Sequence, residues 1–155
     1  QFNSKEERVM KHLLTAAAFA MLAMPAHAAP LCDDLGFAGL LAKCNRGDEI
    51  KVTLASGQPL GEGPITLQSG AYYEMEITAD GSAELALTGP EFFRAIWMDE
   101  IVINEIEIRP MAIDSFEFDD AGTAEFSFIA IKPGRYHMLI PGTSGDSQRL
   151  EFIIQ

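Results

Sequence analysis

The chain has 155 residues, 48% of them hydrophobic and 22% charged, which suits one domain with a single core. Eleven Lys and Arg against 23 Asp and Glu give a formal net charge of −12. Such a surface repels nucleic acid and anionic lipid, so both are excluded as partners. Solubility is the ordinary reason for this acidity, and a cationic partner or a metal ion is the alternative.

Residues 1–28 read as separate from the fold. From Met10 the chain runs MKHLLTAAAFAMLAMPAHA. Lys11 and His12 precede an apolar run over 13–24, Pro25 breaks it, and Ala26 and Ala28 are the small residues of a cleavage site. This predicts a secretory signal peptide cut after Ala28 and a periplasmic destination; residues 1–9 lie upstream of the plausible start at Met10. A retained membrane anchor is the alternative, but the run falls short of the roughly 18 apolar residues a span needs. No second long apolar run follows, so no membrane span is expected after signal removal. Removing residues 1–28 takes three basic and two acidic residues, leaving 8 against 21.

Residues 29–48 carry the only cysteines, Cys32 and Cys44. Exported proteins commonly pair two cysteines, and neither a Cys-x-x-Cys nor a haem-attachment pattern is present. A structural disulfide is therefore expected. The intervening DDLGFAGLLAK predicts a short helix that the bridge would pin, since an isolated helix of that length is marginal.

From residue 49 to 155 the pattern is that of strands. Ile50, Val52 and Leu54 alternate with Lys51 and Thr53; Ile65 to Leu67 is a second short strand; Tyr73, Met75 and Ile77 alternate with Glu74, Glu76 and Thr78; residues 84–88 make another. Residues 91–98 lack strict alternation and predict a helical or irregular crossover that buries Phe92, Phe93 and Trp97. Residues 101–108 read as one strand ended by Pro110. Phe116 and Phe118, then Phe126 and Phe128, alternate on either side of Asp119-Asp120-Ala121-Gly122, which predicts a hairpin with all four rings on one sheet face. Tyr136, Met138 and Ile140 follow the Pro133-Gly134 break, and Leu150, Phe152 and Ile154 form the last strand. About eight short strands with Gly, Pro and Asp punctuation predict an all-β sandwich.

Several of these segments resemble the small bacterial periplasmic cupredoxin-like domains. They are Gly70 with Tyr73-Glu74-Met75-Glu76-Ile77-Thr78, Glu91-Phe92-Phe93, the Phe116 to Phe128 region, Lys132-Pro133-Gly134-Arg135-Tyr136, and the closing strand from Leu150 to Ile154. The resemblance covers about two-thirds of the chain and implies a Greek-key β-sandwich, here with a short disulfide-tethered N-terminal helix. It also implies type 1 copper held by two His, a Cys thiolate and a weak axial Met. The thiolate would stand four residues after Tyr136, at Ile140. The first His would stand near Ala83 and Glu84, and the second His and the Met in the loop 141–149, where neither occurs. The resemblance thus points to a member without the copper ligands, and no cofactor is implied.

Other chemistry is sparse. Met98, Met111 and His137 are the candidates for a non-standard metal site, since thioethers suit Cu(I); Met75 and Met138 take inward strand positions, where Met fills gaps. Asp119 and Asp120, with Asp114 and Glu117 nearby, could offer oxygens to Ca²⁺, but a solvated turn is the simpler reading. No catalytic triad order, nucleophile elbow, phosphate loop or HExxH occurs, so no enzyme is expected. Trp97 is an interface candidate, with core packing as the alternative. The sequence thus predicts an exported binding or accessory module with an unidentified protein partner, possible roles being periplasmic metal handling or redox-complex assembly. A copper carrier or electron-transfer protein using Met, His and carboxylate ligands is the alternative.

Overall fold

A computed structural model describes residues 30–155; the predicted signal peptide and the residues before it lie outside the described residues. Alternation becomes strand wherever one side of the segment meets the core. In β1 (Ile50–Leu54) the odd-spaced apolar residues Ile50, Val52 and Leu54 are buried and Lys51 and Thr53 exposed. The same rule builds β2 (Ile65–Leu67), β3 (Tyr72–Ala79) and β4 (Leu85–Thr88). After a one-turn helix, α1 (Pro90–Phe93), come β5 (Ile96–Ile103), β6 (Ile106–Ile108), β7 (Ser115–Phe118), β8 (Gly122–Ala130), β9 (Gly134–Leu139) and β10 (Arg149–Ile154).

The ten strands form two five-stranded sheets, ordered β1-β3-β8-β5-β6 and β2-β10-β9-β4-β7. The β1–β3 and β2–β10 pairs are parallel and the rest antiparallel. Between the sheets lies one core in which Phe92, Phe126, Phe128 and Phe152 are fully buried. Pro90 begins α1 at a position where its missing N–H costs nothing. The short helix then drives Phe92 between the sheets, 4.4 Å from Phe152 and 5.5 Å from Phe128 by ring centroid.

Four expectations need correction. The Phe-rich segments are not a hairpin: β7 lies in one sheet against β4, β8 in the other between β3 and β5. Phe116 therefore meets Phe126 across the core, stacked at 5.4 Å and 17°, instead of beside it on one face. Trp97 is not buried in a crossover. It lies on β5, paired with Ile129, and is 47% exposed. Residues 101–108 are not one strand, because the chain reverses at Asn104 and Glu105, whose φ of 50° and 64° make a two-residue turn between β5 and β6. Splitting that run into β5 and β6 adds one strand, so the described residues hold ten where about eight are expected.

The predicted N-terminal helix appears as two 3₁₀ turns, Gly36–Leu41 and Lys43–Asn45. Gly39, at φ 57° and ψ −138°, interrupts the first with a conformation no helix continues through. The Cys32–Cys44 disulfide closes this segment on itself. Asn45, fully buried, ties it to the sandwich: its amide donates to the carbonyls of Leu40 and Gly70 at 2.8 Å each and accepts from the Leu31 N–H at 2.8 Å.

Candidate functional site

Strand register decides which polar side chains meet. On β9 and β10 the outward residues are Arg135 and His137 on one strand, Arg149 and Glu151 on the other, with Glu151 directly opposite His137. Diagonal neighbours then pair. Arg135 bonds Glu151 at 2.7 Å, and the Arg149 guanidinium donates to His137 Nε2. A guanidinium has no acceptor, so Nε2 carries the lone pair and the imidazole is neutral in this contact. Burial pushes the His137 pKa below its ordinary value and the Arg149 charge adds to it, against opposing pulls from Glu151 and Glu91. With Gly61, Gly63, Pro64, Asp146 and Ser147, the residues His137, Arg149 and Glu151 line an open cleft of about 620 Å³. His137 can serve there as base or metal ligand only after Arg149 moves away.

The three residues predicted as possible metal ligands are placed on separate features. Met98 is half-buried and packs onto the core from β5, Met111 is fully exposed in the loop after β6, and His137 sits on β9. Met111 lines a cleft with Pro90, Phe93, Arg94 and Ile113 that includes neither of the other two. Among the described residues one acidic group could hold a cation, formed by Glu84, Glu117 and Asp119, all exposed. The hairpin reading had grouped Glu117 with Asp119 and Asp120. Glu84 joins because β4 pairs with β7.

Trp97 stands on the outward face of β5 beside a polar network. Tyr72 Oη donates to Asp99 at 3.2 Å, Arg46 lies over the Tyr72 ring at 4.6 Å, and Arg109 bridges Asp99 at 3.1 Å and Glu100 at 2.8 Å. Burial raises the Tyr72 pKa, and the neighbouring Asp99 charge raises it further. A register shift between Met98 and Glu100 puts the extra residue, Asp99, where it reaches both Tyr72 and Arg109.

The residues at the positions expected for type 1 copper do not fit that ion. Ile140 is a buried aliphatic side chain, the loop after it has no His or Met, and both sulfurs that could have been thiolates are joined to each other. A copper–thiolate bond has no donor here. Sequence reasoning missed two residues. Asn45 carried no signal, since a buried Asn looks like any loop Asn until its partners are known. Arg149 was hidden because its contact with His137 joins neighbouring strands 12 residues apart.

No protein family matches the sequence, and no curated protein matches it either. Solved structures do resemble it in shape. A multi-copper oxidase from Pseudomonas thermotolerans is 12% identical with a TM-score of 0.50, over 85% of this chain and 33% of the oxidase. Another multicopper oxidase is 7% identical with a TM-score of 0.50, over 70% of this chain and 44% of that protein. The chain thus spans less than half the length of either. Both are enzymes, which corrects the expectation that this chain is not one: missing triads and metal motifs do not exclude catalysis in a fold that copper oxidases use. At such identities the likeness shows the fold and assigns no reaction. By fold, the described chain is a cupredoxin-like domain built as two packed β-sheets.

Proposed function

We propose that this chain is an exported, periplasmic cupredoxin-like module that works by binding a protein partner, in metal handling or in the assembly of a redox complex, and that a packing residue, Ile140, stands where the copper thiolate would be. The observation that supports this is Trp97. An indole nearly half exposed on β5, just before the register shift and on the strand whose Asp99 and Glu100 pair with Arg109, is the kind of amphipathic anchor that protein interfaces use. The copper position is filled instead by Ile140, which extends the core. The acidic balance of the chain favours a partner with a cationic face.

The test is a titration of the purified, metal-stripped protein with Cu(I), Cu(II) and Zn(II), followed by calorimetry and visible absorption. On this reading no intense thiolate-to-copper band develops. No ion binds more tightly than about micromolar, a level worth roughly 8 kcal/mol. Tight one-to-one binding lost on replacing Met98, Met111 or His137 would overturn it in favour of a metal carrier. Fractionation of cells producing the full chain tests export, since recovery only in the cytoplasm contradicts the periplasmic assignment.

A further inference from the structure

We propose that the free edge of β6 is a homodimer interface, on which two copies pair β6 to β6 antiparallel about a two-fold axis at Ile108. The hairpin geometry fixes which backbone groups are available. In a two-residue turn with positive φ at both positions, the flanking pair Ile103 and Ile106 exchange both hydrogen bonds. Bonding then alternates along the ladder, so Ile108 bonds Ile101 while the N–H and C=O of Glu107 point away from β5, and the same alternation carried one residue past the end of β6 would turn those of Arg109 outward too. Among the described residues no strand lies beyond β6, which ends its sheet.

The side chains of this edge are unusual for a surface. Ile103, Ile106 and Ile108 share the face of Ile101, which is 6% exposed and part of the core, yet they are 38%, 63% and 42% exposed. The core face of the sheet therefore runs on into solvent as an apolar strip. Edge strands are ordinarily guarded by charge, and Glu105 and Glu107 could be read that way. Glu107 and Arg109 pair within one chain at 3.1 Å, and the order Glu107-Ile108-Arg109 lets the same two charges also pair between copies. Two copies related by a two-fold at Ile108 bring Glu107 opposite the partner's Arg109 and Arg109 opposite the partner's Glu107, while the two Ile108 side chains meet. Glu107 and Arg109 are also the residues whose backbone groups point outward, so hydrogen-bond parity and charge select the same register. Ile106 then faces the partner's Pro110, at a place where no N–H is called for. Two-folds at Glu107, Arg109 or Ile106 keep parity too, but they set Glu107 against Glu107, Arg109 against Arg109 or Glu105 against Glu107, each repulsive.

Sedimentation equilibrium of the purified protein between about 1 μM and 1 mM, the range in which weak specific dimers dissociate, reads the interface directly. A reversible monomer–dimer equilibrium is expected. Glu107→Arg sets like charges across both symmetry-related pairs and should weaken the dimer by about tenfold or more. Glu107→Pro deletes the outward N–H at an edge position that tolerates Pro and should abolish dimerisation. The melting temperature of each variant, measured at concentrations where it is monomeric, confirms that it still folds. A protein monomeric throughout the range overturns the proposal. So does a dimer indifferent to Glu107→Arg and Glu107→Pro, and a dimer that Glu107→Pro abolishes but Glu107→Arg leaves intact overturns the register.

Discussion

The sandwich and the segment before it are held by opposite means. Between the sheets, Phe92, Phe93, Phe116, Phe126, Phe128 and Phe152 form a continuous chain of ring contacts with centroids 4.4 to 6.2 Å apart. In the first 3₁₀ turn no residue is buried, and Phe37 is fully exposed. That segment relies on one disulfide and on the three hydrogen bonds of a single buried amide. Apolar burial is cooperative and spread over many contacts, whereas a cross-link and an amide act at points. The two regions should therefore fail differently when single residues are removed.

The largest effect is expected from Phe126→Ala. The ring is fully buried and touches Phe93, Phe116 and Phe128. Its removal should cost about 3–5 kcal/mol and lower the midpoint of urea unfolding for the whole domain. Replacing Cys32 and Cys44 together by Ser reopens a short loop. The chain-entropy estimate for its closure is about 3 kcal/mol, and the loss should fall on one region. Amide exchange should accelerate across residues 31–45 while β3 and β8 keep their protection. Uniform loss across both sheets would mean that the segment and sandwich unfold as one unit. Asn45→Ala sharpens the contrast further. It strands the Gly70 carbonyl and the Leu31 N–H, at about 2 kcal/mol, and should expose the Leu31 and Gly47 amides before any in β8.

The sequence displayed the contrast only in part. Alternation located nearly every strand because each has a buried side and a wet side, and Gly and Pro marked most ends. It could not say which sheet a strand joins. Phe116 and Phe126 alternate identically whether they are neighbours on one face or partners across the core, since period two records only inside and outside. The β5–β6 turn left only a faint mark. Asn104 is a usual residue at positive φ, but Glu105 is not, and without a Gly the one sign of the turn is the change of phase from Ile101 and Ile103 to Ile106 and Ile108. Trp97 illustrates the limit for the candidate site. Indole size suggests burial, and only the register with Ile129 turns it outward.

The smallest expected effect lies on the sandwich's wet side, where neither packing nor a cross-link is at stake. His137 in the folded chain has its pKa lowered, first by burial and then by Arg149, while in the unfolded chain it titrates near the ordinary value. Between those two values the unfolded chain binds more protons, so stability rises with pH across that window and falls as pH drops through it. The window opens at the ordinary His value and extends downward from it. His137→Gln cannot charge and keeps an amide oxygen for the Arg149 guanidinium. Unfolding free energies of the two proteins should then converge toward mildly acidic pH and separate again above neutrality, where the neutral imidazole of the parent bears no penalty. Because His137 is only partly buried, this slope should be shallow beside the losses at Phe126, the disulfide and Asn45. A slope unchanged by the substitution would place the acid sensitivity elsewhere. It would then show that the Arg149 contact leaves the proton affinity of His137 as it is in the unfolded chain.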